Sequence, residues 1–195
     1  MTYTVYGAVR SRTFRVLWLL EELGLAYSHV PAGPQSDDIR KVSPLGKIPV
    51  LVDGDAVLRD STAILTYLAD KHGGFTHPAG TIPRARQDAW TFRILDEVES
   101  LLWTASKHTF VLPEAERVPA VKPACAAEYS RNIARIMEEA EGPYLMGTAP
   151  LVPDIILGHC GTWAQVAKFP DGGTAFSDYL SRLRARPAFR VTAAA

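Results

Sequence analysis

A predicted β-hairpin that leads directly into a helix start constrains the fold of this chain most. Two short apolar runs, residues 50–52 and 56–58, flank the dipeptide Asp53-Gly54. Asp-Gly suits the type I′ turn that joins two antiparallel strands. A helical pattern follows, and Asp60 and Ser61 stand at its beginning, where residues of this kind cap helices. The segment therefore predicts a hairpin followed by the N-terminus of a helix.

This predicted helix start offers partners for both charges of an α-amino acid. A helix N-terminus has unpaired N–H groups and a partial positive charge, which favour a carboxylate, and Ser61 adds a hydroxyl. Asp60 supplies a negative charge that can pair with an ammonium group. If the Ile48–Pro49 bond is cis, the N–H and C=O of Ile48 point outward and can pair with an extended peptide. These residues predict a peptide-like ligand with a free amino-acid end.

The patterns along the chain predict two domains of different class. Residues 3–6 and 27–30 read as strands on either side of an amphipathic helix, which predicts a βαβ unit with parallel strands. The later hairpin adds antiparallel strands, so the sheet should be mixed. A segment rich in Gly and Pro follows, and after it only helical patterns occur. We expect an α/β domain over residues 1–75, a linker over 76–83 and an all-α domain over 84–195.

Several segments of the chain resemble the cytosolic glutathione S-transferase family, and in particular its bacterial, Ser-type members. Any one segment would be weak evidence, whereas the ordered set is specific. The resemblance implies a thioredoxin-like, glutathione-binding domain with a mixed four-stranded sheet, followed by an all-helical domain. In the first half the matching segments are residues 3–6 with 11–17, 44–51 and 60–68, and in the second half they are 144–147, 153–155 and 186–189.

By this resemblance, glutathione is the co-substrate and the loop and helix start described above bind it. The glutathione-binding residues would be Lys47, Ile48, Pro49, Asp60 and Ser61. Lys47 would hold the glycyl carboxylate. The family usually has Glu where this chain has Asp60, so the shorter side chain changes the reach to the ligand's ammonium group.

The resemblance places Ser11 between the first strand and the first helix as the group that activates the glutathione thiol. A hydroxyl that donates to sulfur favours thiolate over thiol, and the helix N-terminus adds its dipole. Lowering a thiol pKa from about 8.5 by roughly two units requires about 2.7 kcal/mol. Tyr6 is the alternative activating residue, and Arg12 would support either one. Ser11 is also a good N-cap, so a purely structural role stays open.

The acceptor site and the helical domain are predicted from the resemblance alone. An apolar pocket for the second substrate would include Val9, Trp103, Phe110 and Tyr129. The family typically has Ser or Thr three residues before the aspartate that is Asp154 here, and the two form a capping box. This chain has Leu151 in that position, so we expect Asp154 to lack its usual cap partner.

Composition excludes several other classes of function. The chain has 21 basic and 21 acidic residues, so no charge excess marks it for nucleic acid or an anionic membrane. The early apolar run is too short for a signal peptide or a membrane span, and we expect a cytoplasmic protein. The five histidines lack metal-site spacing, so no metal is expected. Cys125 and Cys160 are expected to be free, buried thiols.

Three hypotheses of different class follow from the sequence. The first is an enzyme that activates the glutathione thiolate for attack on small hydrophobic electrophiles, or uses it in peroxide reduction or isomerisation, as in detoxification. The second is a non-catalytic glutathione-binding or ligand-carrier protein. The third is a disulfide oxidoreductase, against which the absence of cysteine at Ser11 argues directly. The resemblance also implies a homodimer in which the N-terminal domain of one subunit meets the helical domain of the other.

Overall fold

The computed structural model describes residues 2–195, which form two compact units. The first unit contains the residues up to Ala79 together with Arg184–Ala195, and the second is Gly80–Leu183. The described strands are β1 (Tyr3–Tyr6), β2 (Tyr27–Val30), β3 (Val50–Asp53) and β4 (Ala56–Arg59), and the described helices are α1 (Phe14–Glu22), α2 (Asp37–Val42), α3 (Ser61–His72), α4 (Ile82–Ile94), α5 (Ser100–Ser106), α6 (Val121–Glu139), α7 (Val152–Val166), α8 (Gly173–Arg184) and α9 (Pro187–Ala194).

The first unit has the predicted mixed four-stranded sheet, with the strand order β2-β1-β3-β4. β1 is parallel to β2 and antiparallel to β3, and β3 is antiparallel to β4. Asp53 pairs with Ala56 across the hairpin, so Gly54 and Asp55 are the two central residues of the turn. Gly54 has φ +59° whereas the φ of Asp55 is not positive, which fits a type II′ turn and corrects the type I′ turn predicted from Asp53-Gly54. The prediction of a thioredoxin-like domain followed by helices is confirmed.

Helix α3 is tied to the hairpin at its C-terminal end. The Tyr67 hydroxyl donates to Asp53 Oδ2 at 2.6 Å, and the Lys71 ammonium group donates to the same oxygen. These two donors lower the pKa of the Asp53 carboxyl, with Lys71 contributing most. These bonds fix the C-terminal half of α3 against the turn of the hairpin.

The last helix packs in the first unit, whereas the sequence assigned all of residues 84–195 to the helical domain. Phe189 on α9 lies edge to face against Trp18 and Phe14 of α1, with ring centroids 5.0 Å apart in each pair. Arg186 donates to both carboxylate oxygens of Glu22, at 2.5 and 2.7 Å. This aromatic and ionic packing explains why the C-terminal segment joins α1 rather than the other helices.

In the second unit, α4 continues into α5 through a π-helical turn at Leu95–Glu99. A wider turn of this kind leaves a main-chain carbonyl without its helical donor. Asn132 on α6 supplies one, since its Nδ2 donates to the Glu97 carbonyl at 2.8 Å. The core of the unit lies between α5, α6 and α7, and α7 is buried along most of its length.

Asp154 has partners that compensate for the apolar residue at Leu151. One oxygen of Asp154 accepts from the Leu151 N–H at 2.8 Å, and the other accepts from the Leu145 N–H at 3.0 Å and from the Tyr179 hydroxyl at 2.8 Å. The Asp154 N–H bonds to the main-chain carbonyl of Leu151 instead of a side-chain oxygen. Half of the capping box is therefore kept, and Tyr179 is a partner that local sequence spacing does not indicate.

Candidate functional site

The N-terminus of α3 is capped by Asp60, as predicted. Asp60 Oδ1 accepts from the main-chain N–H groups of Thr62 and Ala63 at 2.9 and 3.0 Å. The residue has φ +71° and ψ 122°, a conformation that non-glycine residues rarely adopt. Oδ2 of the same carboxylate makes no hydrogen bond to any residue in 2–195, and the side chain is exposed. One oxygen therefore caps the helix while the other stays available.

Ser61, the first residue of α3, offers two unused hydrogen-bond donors. Its side chain is only 3% exposed, and its oxygen accepts from Arg15 Nη1 at 3.3 Å. Among the described residues, no atom accepts from the Ser61 hydroxyl or from its main-chain N–H. Since buried donors are normally paired, this pair of donors at a helix N-terminus fits a bound anion.

Arg15 is a site residue that the sequence did not single out. It lies on α1, is fully buried, and reaches the N-terminus of α3 through Ser61. A cation between Phe14 and Val16, inside an otherwise apolar run, was the available signal. A guanidinium stays charged when it is buried, so a buried arginine needs polar partners. The position of those partners shows which part of the structure the positive charge acts on.

The loop before β3 presents main-chain groups and one cation. The Ile48–Pro49 peptide bond is cis. In the described part of the chain, the N–H and C=O of Ile48 have no hydrogen-bond partner, and β3 begins two residues later at Val50. Lys47 is exposed, and no carboxylate among residues 2–195 pairs with it. The loop can therefore accept an extended peptide and an additional carboxylate.

Gln35 holds this loop in position. Its main-chain N–H donates to the Gly46 carbonyl at 2.8 Å, and its side-chain Nε2 donates to the Leu45 carbonyl at 3.1 Å. Arg40 in turn donates to the Gln35 side-chain oxygen at 2.6 Å. Gly46 has φ +65°, and a Cβ there would lie 2.4 Å from Gln35 Oε1. Glycine is thus favoured by the backbone conformation, and a Cβ at residue 46 would displace the Gln35 side chain from its present position.

Ser11 caps the first helix, which is the structural role left open for it. Its backbone is extended, with φ −142° and ψ −169°, so residues 9–13 form an irregular turn before α1. Ser11 Oγ accepts from the Thr13 N–H at 3.1 Å, lies 2.9 Å from Thr13 Oγ1, and donates to the Ala8 carbonyl at 2.6 Å. A serine hydroxyl has only one hydrogen to donate. Ser11 must therefore break its hydrogen bond to the Ala8 carbonyl before it can donate to a thiolate.

The other two thiol candidates lie on either side of this turn. Tyr6 is half-buried at the end of β1, on the face of the strand opposite to the buried Val5. Arg12 is half-buried beside Ser11. Gly7 separates the strand from the turn, and a Cβ on it would lie 2.1 Å from Thr13 Oγ1. The turn therefore folds tightly back on the end of β1.

The residues predicted for the acceptor pocket have different environments. Val9 is half-buried in the first unit; in the second unit Trp103 and Phe110 are exposed, at 39% and 65%. Tyr129 is fully buried and its ring lies edge to face against Phe169, with centroids 5.3 Å apart. Tyr129 therefore belongs to the core of the helical unit, because a side chain without exposed surface cannot line an open pocket.

The helical unit also has a cleft of about 430 Å³ that the predicted pocket residues do not line. Trp90 is one of the residues that line it, and the Arg93 guanidinium lies over the Trp90 ring at 5.4 Å from the ring centroid. Arg93 bonds to Glu97 at 2.9 Å and to Glu139 at 2.6 Å, so the walls of the cleft carry paired charges.

The described residues contain no cluster of His, Cys, Asp or Glu that could hold a metal ion. The thiols of Cys125 and Cys160 are free and buried. None of the described helices combines the length and the apolar character needed to cross a membrane.

Comparison with known proteins points to one family. Residues 5–83 match the model of the glutathione S-transferase N-terminal domain. Glutathione S-transferase Z2 of Arabidopsis thaliana is 48% identical over 63 residues, which are 30% of this chain and 28% of that protein. The sequence match thus spans less than a third of this curated relative's length.

Solved structures extend the similarity over the whole chain. The theta class glutathione S-transferase of Xanthomonas axonopodis pv. citri, solved with glutathione bound, is 28% identical, with a TM-score of 0.79 and coverage of 98% of this chain and 96% of that one. A glutathione transferase of Methylococcus capsulatus is 26% identical, with a TM-score of 0.83 and coverage of 98% and 97%. Residues 5–83 thus match the glutathione S-transferase N-terminal domain, and the whole chain shares the fold of solved glutathione transferases.

Proposed function

We propose that this protein is a Ser-type glutathione transferase, which binds glutathione on its first unit and activates the thiol for attack on small hydrophobic electrophiles. The observation that carries the proposal is the N-terminus of α3. There Ser61 offers an unpaired N–H and an unpaired hydroxyl hydrogen, while Asp60 keeps one carboxylate oxygen free. This is a complementary site for the α-carboxylate and the ammonium group of a γ-glutamyl residue.

The remaining parts of glutathione have partners in the same unit. The Ile48 N–H and C=O can pair with the cysteinyl main chain as a short added strand, next to the cis Pro49. Lys47 is the cation for the glycyl carboxylate. The relative from Xanthomonas was solved with glutathione bound, which supports the choice of ligand.

In the proposed reaction, the Ser11 hydroxyl donates its hydrogen bond to the glutathione sulfur. The thiol proton passes to solvent, and the thiolate forms a bond to the electrophilic carbon as the leaving group departs with its electron pair. Thr13 can then donate its hydroxyl hydrogen to Ser11 Oγ, since the two oxygens are 2.9 Å apart. Tyr6 remains the alternative donor, and Arg12 would add positive charge. On the acceptor side, Val9, Trp103 and Phe110 remain candidates.

A glutathione-binding carrier is the second candidate, and one observation favours it. The Ser11 hydroxyl is already satisfied as an N-cap, because it accepts from the Thr13 N–H and donates to Ala8. If Ser11 only caps the helix and does not donate to sulfur, the thiol of bound glutathione would stay protonated. A glutathione-dependent peroxidase, isomerase or disulfide oxidoreductase is a further alternative. Each would use the same glutathione thiol but act on a different second substrate.

The test is steady-state conjugation of glutathione to an activated aryl halide by the native protein, Ser11→Ala and Tyr6→Phe. We expect Ser11→Ala to lower kcat by about 10²-fold, since one donor to a developing charge is worth about 2.7 kcal/mol, with little change in the KM for glutathione. Tyr6→Phe should retain activity. Equal rates for the native protein and Ser11→Ala, or a native protein that binds glutathione without conjugating it, would favour the carrier.

We also propose that the protein is a homodimer and acts in the cytoplasm, as the resemblance implies. Ile82 and Phe92 on α4 are 72% and 65% exposed, and Ala89 lies between them on the same helical face. An apolar stripe of this kind suits a contact with the first unit of a second copy. Sedimentation of the native protein against Phe92→Glu tests this, with a dimer converted to a monomer as the expected result.

A further inference from the structure

We propose that Arg15 is a positioning residue for the γ-glutamyl carboxylate of glutathione. It would fix the Ser61 hydroxyl so that its hydrogen points toward the ligand, and would place a permanent positive charge behind the bound carboxylate. This inference rests on the proposed function and deepens it, because it assigns the binding of one ligand group to a buried residue on a different helix.

The first step of the argument is the hydrogen-bond count at Ser61. A serine hydroxyl has one hydrogen to donate and lone pairs to accept with. Ser61 Oγ accepts from Arg15 Nη1 at 3.3 Å, so its hydrogen is directed away from the guanidinium. No acceptor for that hydrogen lies among the described residues, although Ser61 is only 3% exposed. A ligand carboxylate would complete the arrangement.

The second step is the charge. Arg15 has no exposed surface, and a guanidinium group carries a positive charge in proteins. Electrostatic interactions are weakly screened away from solvent, so this cation acts on a neighbouring anion more strongly than an exposed one does. Lys47, by contrast, is exposed, and its charge would be screened by solvent.

The third step separates Arg15 from the thiol chemistry. Arg15 lies four residues after Ser11 and inside α1, whereas Ser11 lies in the irregular turn before that helix. Arg15 donates to Ser61 at the start of α3, whereas Ser11 bonds to Ala8 and Thr13 in the turn before α1. Removing Arg15 should therefore weaken ligand binding while the thiolate, once bound, reacts at nearly the native rate.

The experiment compares two ligands in the full-length protein: glutathione, and 4-aminobutyryl-cysteinylglycine, which lacks only the γ-glutamyl α-carboxylate. We expect the native protein to bind glutathione more than 100-fold better than the analogue. Arg15→Met should lose at least 10-fold in glutathione affinity and less than 2-fold for the analogue. The KM for glutathione should rise while kcat stays within 2-fold.

Glu22→Gln is the matched control, because Glu22 is a charge held by Arg186 at the other end of α1. It should lower the melting temperature and leave the ratio of the two affinities at its native value. If Arg15→Met does not fold, Arg15→Lys is used in its place. A lysine keeps the positive charge but is too short to donate to Ser61 Oγ. A 3- to 10-fold loss for glutathione only is then expected.

The outcomes distinguish this inference from the function on which it rests. If the native protein prefers glutathione over the analogue but the Arg15 variants weaken both ligands equally, Arg15 is only structural and the inference fails. If the native protein does not bind glutathione, the proposed function fails, and the inference with it.

Discussion

Replacing Asp60 separates the two roles proposed for its carboxylate. One oxygen accepts from the N–H groups of Thr62 and Ala63, and the other is proposed to pair with the ammonium group of glutathione. Asparagine is an equally good N-cap and tolerates the positive φ of +71° at this position. Asp60→Asn should therefore change the free energy of unfolding by less than about 0.5 kcal/mol.

The effect of Asp60→Asn on binding is larger, because the negative charge is lost. A hydrogen bond between charged groups is worth about 1.5–3 kcal/mol, and the exposure of Asp60 places the pair near the lower limit. An energy of about 1.4 kcal/mol corresponds to a tenfold rise in the Kd for glutathione. Calorimetric titration with glutathione measures this, and the loss should shrink as ionic strength increases.

Asp60→Ala is the comparison that makes the result decisive. It removes the charge and the cap together, so it should show the same tenfold loss in affinity and also lose about 1 kcal/mol of stability. Native affinity in Asp60→Asn, with weak binding only in the destabilised Asp60→Ala, would mean that Asp60 is a cap and has no part in holding an ammonium group.

Two further predictions concern the loop and the helical unit. Gly46→Ala should cost at least the roughly 1–2 kcal/mol of a left-handed alanine. Its Cβ would also displace the Gln35 side chain, 2.4 Å away, from its hydrogen bonds with Leu45 and Arg40, and so weaken glutathione binding through Lys47. Thermal unfolding and titration measure the two effects. Gly54→Ala is the control, with a similar φ of +59° and open space around the Cβ. Burial raises the pKa of Asp154 to about 6, so the native state takes up a proton at higher pH than the unfolded chain does. The free energy of unfolding should therefore fall by about 2 kcal/mol as the pH rises from 4 to 6. Urea unfolding of Asp154→Asn should lack this fall, and an equal fall in both proteins would contradict the assignment.

The hairpin and the caps of the binding site were predictable because the signals are local. Asp53-Gly54 encodes a turn, and Asp60 encodes a helix start, through interactions within a few residues. The role of Arg15 depends on a contact 46 positions along the chain, and the partnership of Tyr179 with Asp154 spans 25 positions. Such contacts form only once the helices are packed, so no spacing in the sequence indicates them.

Two expectations about the second half depended on burial, which periodicity does not determine. Tyr129 reads equally well as a pocket residue or a core residue, and only the packing of Phe169 against it shows the core role. The C-terminal helix carries the same kind of apolar residues as its neighbours, but Arg186 and Phe189 find their partners on α1. Nothing in the sequence indicates whether Arg186 and Phe189 pack in the first unit or in the second.

The pKa of the glutathione thiol in the bound state tests the central claim most directly. Ultraviolet absorption of the thiolate is followed against pH for the native protein and Ser11→Ala, each saturated with glutathione. We predict that the bound thiol titrates near pH 6.5 in the native protein and near its free value of about 8.5 in Ser11→Ala, with binding retained. A bound thiol that titrates near 8.5 in the native protein, or near 6.5 without Ser11, would contradict the account.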